Sequence, residues 1–167
     1  MEAIPATRYV QTDDGISLAY RITGDGPRDV VWIAGLGYPS DLVADESGFV
    51  HLARRLGAFS RVFWYEARGF GASGGSFLDN DPDIVVRDLD VMVDSVLSDQ
   101  VVLVGWGHSG SAAIRYAVAR PERTAGLVLI DSYAHYFAVR TTRLAPPKKS
   151  WKIGSHWQRT SGAQDFF

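Results

Sequence analysis

Apolar runs of strand length alternating with amphipathic helices predict an α/β fold. The expected form is a mainly parallel sheet with helices on both faces and an N-terminal antiparallel hairpin. Three observations lead there. Continuous apolar runs such as Val101 to Val104 and Leu127 to Ile130 suit strands buried in a parallel sheet. Between the runs lie segments with helical spacing, and each crossover of that kind returns the chain to a parallel neighbour. The first two β-rich runs are separated only by Asp13-Asp14-Gly15, a turn signal with a glycine for positive φ.

The elements follow in order. Thr7 to Gln11 and Ile16 to Ile22 form the hairpin, and Asp29 to Ala34 (D-V-V-W-I-A) is a buried strand that runs into Gly35-Leu36-Gly37. A helix over Glu46 to Leu56 sets Phe49, Leu52, Ala53 and Leu56 on one face, and the strand Arg61 to Tyr65 comes next. Past a glycine-rich loop, a helix over Ile84 to Leu97 gathers Ile84, Val85, Leu89, Met92, Val93 and Val96 on one side, with Asp88, Asp90 and Asp94 mostly outside it. The strand Val101 to Val104, a helix from Gly110 to Ala119 with small packing residues, and the strand Gly126 to Ile130 complete the series. In such a sheet, ligands bind at the carboxyl ends of the strands, so chemistry belongs in the loops after Ala34, Tyr65, Val104 and Ile130.

Composition narrows the function classes. A net charge of −2 offers no basic footprint for nucleic acid or an anionic membrane surface, so a small-molecule substrate or ligand is the expected partner. The absence of cysteine removes disulfides, thiolate metal sites and cysteine nucleophiles, and no cofactor or metal is expected. No apolar run approaches the ~20 residues of a membrane span, and the start of the chain lacks the pattern of a secretion signal, so a cytoplasmic location is expected. Residues 1–137 carry 18 acidic and 11 basic residues, whereas 138–167 carry 6 basic residues and a single acid. Residues 1–137 are therefore read as the domain and 138–167 as a basic tail, loop or disordered, either a solvated linker or lid or a segment foreign to the domain.

From Thr7 to Asp131 the order of these motifs resembles the N-terminal part of the α/β-hydrolase fold family. D-V-V-W-I-A-G-L-G resembles the strand and loop that supply one oxyanion-hole amide, here that of Leu36, with Ala34 where many members have histidine. Y-E-A-R-G-F-G-A-S resembles the family's turn with an acidic residue followed by R-G-x-G-x-S. Its role is read as structural, with Arg68 bonding carbonyls and Glu66. P-E-R-T-A-G-L-V-L-I-D-S looks like the exit from the nucleophile helix. The resemblance implies an incomplete α/β-hydrolase fold and a parent activity of serine hydrolysis on an ester or similar small acyl substrate. The family's histidine follows a strand beyond those matched here.

The nucleophile elbow has two registers. Gly107-His108-Ser109-Gly110-Ser111 satisfies small-x-Ser-x-small, with Ser109 as nucleophile and the Gly110 amide as second oxyanion donor. Counted by the family's spacing from Val104 or back from Pro121, the nucleophile slot is Gly107, and glycine cannot attack. Agreement of both flanks favours the second register, with Ser109 a packing residue. Ser111 is a third candidate.

His51, on the apolar side of its helix, reads as a core or surface residue, and His108 lies within the elbow. His135 and His156 follow the last strand. Asp131 ends a strand where some members place their acid, although a cap or loop role explains it as well. Two readings from other classes remain. One is a non-catalytic binding module, able to self-associate through an uncovered sheet edge. The other is dinucleotide binding through Gly105, Gly107 and Gly110, a G-x-G-x-x-G with Asp131 ending the next strand.

Overall fold

A computed structural model describes residues 5–34, 40–41, 46–76, 78, 81–96 and 98–134. The expected tail at 138–167, the Leu36 amide, His135 and His156 lie outside the described residues.

Six strands form one mixed sheet: β1 (Arg8–Gln11), β2 (Ser17–Thr23), β3 (Arg28–Ile33), β4 (Ser60–Tyr65), β5 (Val101–Trp106) and β6 (Thr124–Ile130). Three helices accompany them among the described residues: α1 (Ser47–Gly57), α2 (Pro82–Val96) and α3 (Ser109–Ala119). A short 3₁₀ turn, Pro121–Arg123, leads into β6. The hairpin forms where expected: Gly15 takes φ 82 and its N–H donates to the Thr12 carbonyl at 2.9 Å. β5 continues two residues past the predicted end, through Gly105 and Trp106, so the turn into α3 starts directly at Gly107.

The strand order is β1-β2-β4-β3-β5-β6, with β1–β2 and β2–β4 antiparallel and the remaining neighbours parallel. From β3 the chain steps one way to β4, then returns across β3 to β5 and continues outward to β6. Right-handed crossovers with opposite steps put their helices on opposite faces. Accordingly, α1 covers Val30, Trp32, Val62, Trp64 and Val104, whereas α2 and α3 cover Val31, Ile33, Phe63, Tyr65 and Leu103. Alternate residues of β3 and β4 thus serve two cores, which is why these strands read as unbroken apolar runs.

Capping fixes the helix starts. The Glu46 side chain accepts the Phe49 N–H at 2.9 Å at the head of α1. Asp81 accepts the Asp83 N–H at 2.8 Å ahead of Pro82 at the first position of α2.

Several sequence expectations are corrected. Asp88 lies inside, 3% exposed, because the Arg68 guanidinium grips its carboxylate at 2.8 and 2.7 Å. Arg68 does not bond Glu66; its other carboxylate partner is Asp14, at 2.7 and 3.1 Å. Glu66, 2% exposed, instead accepts the amides of Ser40 and Ala72, tying the segment after β3 to the turn after β4. His51 is exposed, since the face of α1 that meets the sheet carries Phe49, Leu52, Ala53 and Leu56. No helix among the described residues is long and apolar enough to cross a membrane.

Candidate functional site

Neighbouring strands whose connections leave in opposite directions, β3 and β5, open a crevice at their carboxyl ends. The β5–α3 turn faces that crevice. The geometry of the turn is set by close packing. A Cβ on Gly105 would lie 2.6 Å from the Gly110 Cα, and one on Gly110 would lie 2.4 Å from the Ser132 side chain. The start of α3 is therefore pressed against the end of β5 at Gly105 and against Ser132, just after β6, at Gly110, so that both points are tight enough to demand glycine. That contact accounts for two of the three glycines of the G-x-G-x-x-G pattern without any ligand.

The third glycine differs. Gly107 adopts φ 59, in the left-handed region, and a Cβ there would meet nothing within 4 Å. Its N–H donates to the Ile130 carbonyl at 2.9 Å, which fastens the turn to the end of β6. A strained turn that presents its central side chain to open space is the arrangement an elbow nucleophile requires.

Ser109 occupies the opposite environment. It is 7% exposed, and its Oγ accepts the Trp106 N–H at 2.8 Å while lying 2.9 Å from the carbonyl oxygens of both Ile33 and Trp106. One hydroxyl thus links the ends of β3 and β5 at the first turn of α3. Replacing Ser109 with alanine strands a buried N–H, and a destabilisation of about 1–3 kcal/mol in urea unfolding is expected. Ser111 donates to the His108 carbonyl at 2.9 Å within the same turn.

His108 precedes the first residue of α3, and burial lowers the pKa of its imidazole. Asp131 follows β6 with φ 46, next to Gly107 across the strand pair, and is exposed. No hydrogen bond or ion pair reaches its side chain among the described residues. Trp106 packs against Phe49 and edge-on to Trp32, with ring centroids 5.5 and 6.4 Å away, walling the α1 side of the turn. Among the described residues, no group of three His, Cys, Asp or Glu side chains is placed to hold a metal ion.

Sequence reasoning missed two features. The Ile33 carbonyl as partner of Ser109 comes from 76 residues away and carries no local signal. The burial of Asp88 could have been suspected from its place beside Leu89 on an otherwise apolar stripe.

No protein-family model matches the chain, and neither does any curated protein. Solved structures do. An esterase from a Rhodococcus species is 25% identical, with a TM-score of 0.66 over 77% of this chain and 46% of that one. An α/β hydrolase from Novosphingobium aromaticivorans is 29% identical, with a TM-score of 0.59 over 77% and 45%. An epoxide hydrolase from Vigna radiata is 21% identical, with a TM-score of 0.62 over 77% and 41%. The chain spans less than half the length of each of these proteins.

Proposed function

From the premise that this chain belongs to the α/β-hydrolase fold family, whose N-terminal part it matches, we propose that it is a hydrolase-like module with Gly107 in the nucleophile slot. Its serine-hydrolase turnover is then little or none. The parent reaction is hydrolysis of an ester or similar small acyl substrate through a serine acyl-enzyme. The observation that carries the reading is the contrast at the elbow: Gly107 has positive φ and open space, while Ser109 is buried and bonded on both sides.

In this register the elbow's oxyanion amide is that of His108, and the family resemblance assigns the second to Leu36. On this reading binding outlasts catalysis, because the nucleophile slot carries glycine and offers no attacking group. The ligand class is a small neutral acyl or aromatic compound, and a cytoplasmic setting is part of the reading, supported by the absence of cysteine.

The test is an assay of the purified chain on a short-chain activated ester. No turnover above buffer is expected from the parent, from Ser109→Ala or from Gly107→Ser, because on this reading a serine there still lacks its general base. Turnover by the parent that Ser109→Ala abolishes would overturn the reading in favour of the other register. Stabilisation by NAD or NADP in a thermal-shift titration would favour dinucleotide binding instead.

A further inference from the structure

We propose that Asp25 is a site of spontaneous isoaspartate formation that loosens the connection between β2 and β3, while the fold protects the chain's other Asp-Gly pair, at Asp14. Glycine presents an unhindered amide nitrogen, so Asp-Gly is the pair in which the backbone most readily attacks the preceding carboxyl. The sequence has two such pairs, Asp14-Gly15 and Asp25-Gly26. In the reaction, the Gly26 nitrogen bonds to the Asp25 Cγ, and the carboxyl hydroxyl leaves with the amide proton as water. Water then opens the five-membered succinimide at the Asp25 main-chain carbonyl, its hydroxyl staying on that carbon and its proton passing to the nitrogen. The main chain now runs through Cβ and Cγ. Composition is unchanged, and nothing is oxidised or reduced.

The structure separates the two pairs. Gly15 donates its N–H to the Thr12 carbonyl at 2.9 Å, so its nitrogen is engaged. The Asp14 carboxylate accepts from Arg68 at 2.7 and 3.1 Å and from the Thr12 hydroxyl. These bonds keep it ionised and fixed, whereas ring closure needs a protonated carboxyl free to turn onto the nitrogen. Asp25 is exposed, and among the described residues no hydrogen bond reaches its carboxylate or the Gly26 N–H.

Packing sets the consequence. The connection, residues 24–27, crosses the start of β4, because β2 and β3 lie on either side of that strand. A Cβ on Gly24 would lie 2.4 Å from the Gly57 Cα, and one on Gly26 would lie 2.2 Å from the Phe59 carbonyl carbon and the Ser60 nitrogen. A main chain longer by one carbon has no room there and must lift off the end of α1 and the start of β4.

The test is to hold the folded chain in warm neutral buffer made with heavy-oxygen water and then digest it with trypsin. Over days, peptide 22–28, which holds Asp25, should yield a second species of different retention that carries one heavy oxygen and resists a protease cleaving before aspartate. Peptide 9–21, which holds Asp14, should convert on the order of tenfold more slowly, since one hydrogen bond lost before ring closure is worth that factor. In urea, where those bonds are gone, both peptides should convert at similar rates. The urea midpoint of the incubated chain should fall in step with its isoaspartate content. Asp25→Glu, whose longer side chain closes the ring far more slowly, should keep its midpoint. Conversion of 22–28 no faster than that of 9–21 in the folded chain overturns the proposal. So does conversion of 22–28 that leaves the midpoint unmoved. Neither result bears on the elbow, which the ester assay tests separately.

Discussion

Replacing Arg68 with alanine is expected to cost about 3–5 kcal/mol of stability, the cost of leaving a buried carboxylate without its counter-charge. Both partners are 5% exposed at the side chain, and the guanidinium meets Asp88 through two bonds in fork geometry. Tyr65 lies nearby, its hydroxyl pushed far up first by burial and then by Asp88. Urea unfolding followed by tryptophan fluorescence measures the loss. Removing both charges in Arg68→Met with Asp88→Leu should cost clearly less than Arg68→Ala alone, because the stranded charge is then gone.

The same arginine predicts a pH effect. Its hydrogen bonds hold the Asp14 carboxyl well below the usual carboxylate range. A depressed carboxylate contributes stability that is fully present above its unfolded value and is lost as pH falls through its folded one. Stability should therefore decline on acidification below the ordinary carboxylate range, and Arg68→Ala should flatten Asp14's part of that limb.

The second large effect is at Gly105. Alanine there would put a Cβ 2.6 Å from the Gly110 Cα and 3.0 Å from its nitrogen, backbone atoms that move only if α3 lifts off the sheet. Overpacking typically costs about 1–3 kcal/mol, and a clash with backbone puts this position at the upper end of that range. Gly107→Ala, two residues on, meets open space and carries only the left-handed backbone penalty, about 1–2 kcal/mol. Measured side by side, the pair reports which position of the turn was built to hold a side chain. Equal losses at the two positions would remove Gly107 from the nucleophile slot.

The fold was legible because the two-faced burial of β3, β4 and β5 writes itself as apolar runs, and because Gly15 and the apolar stripes of α1 and α2 are local signals. The site was legible to the level of two registers. Spacing from Val104 and Pro121 singled out Gly107, but choosing between a presented and a buried position needs φ and burial, which arise from α3 docking on β5. The charge network was misread for a similar reason. Arg68, Asp14 and Asp88 are brought together only by the crossover, so the sequence neighbour Glu66 looked the natural partner while its carboxylate in fact binds loop amides.

The return of the chain across β3 also has a kinetic side. β3 pairs with β4 through one crossover, but its other edge waits for β5, where Val30 meets Val102 late in the chain. During synthesis or refolding, the buried run Val30 to Ile33 therefore spends time with one edge bare. Non-local closure of this kind slows folding and exposes a sticky edge while it lasts. The strand order that creates the crevice also leaves the middle of the sheet waiting for a strand about seventy residues further along the chain.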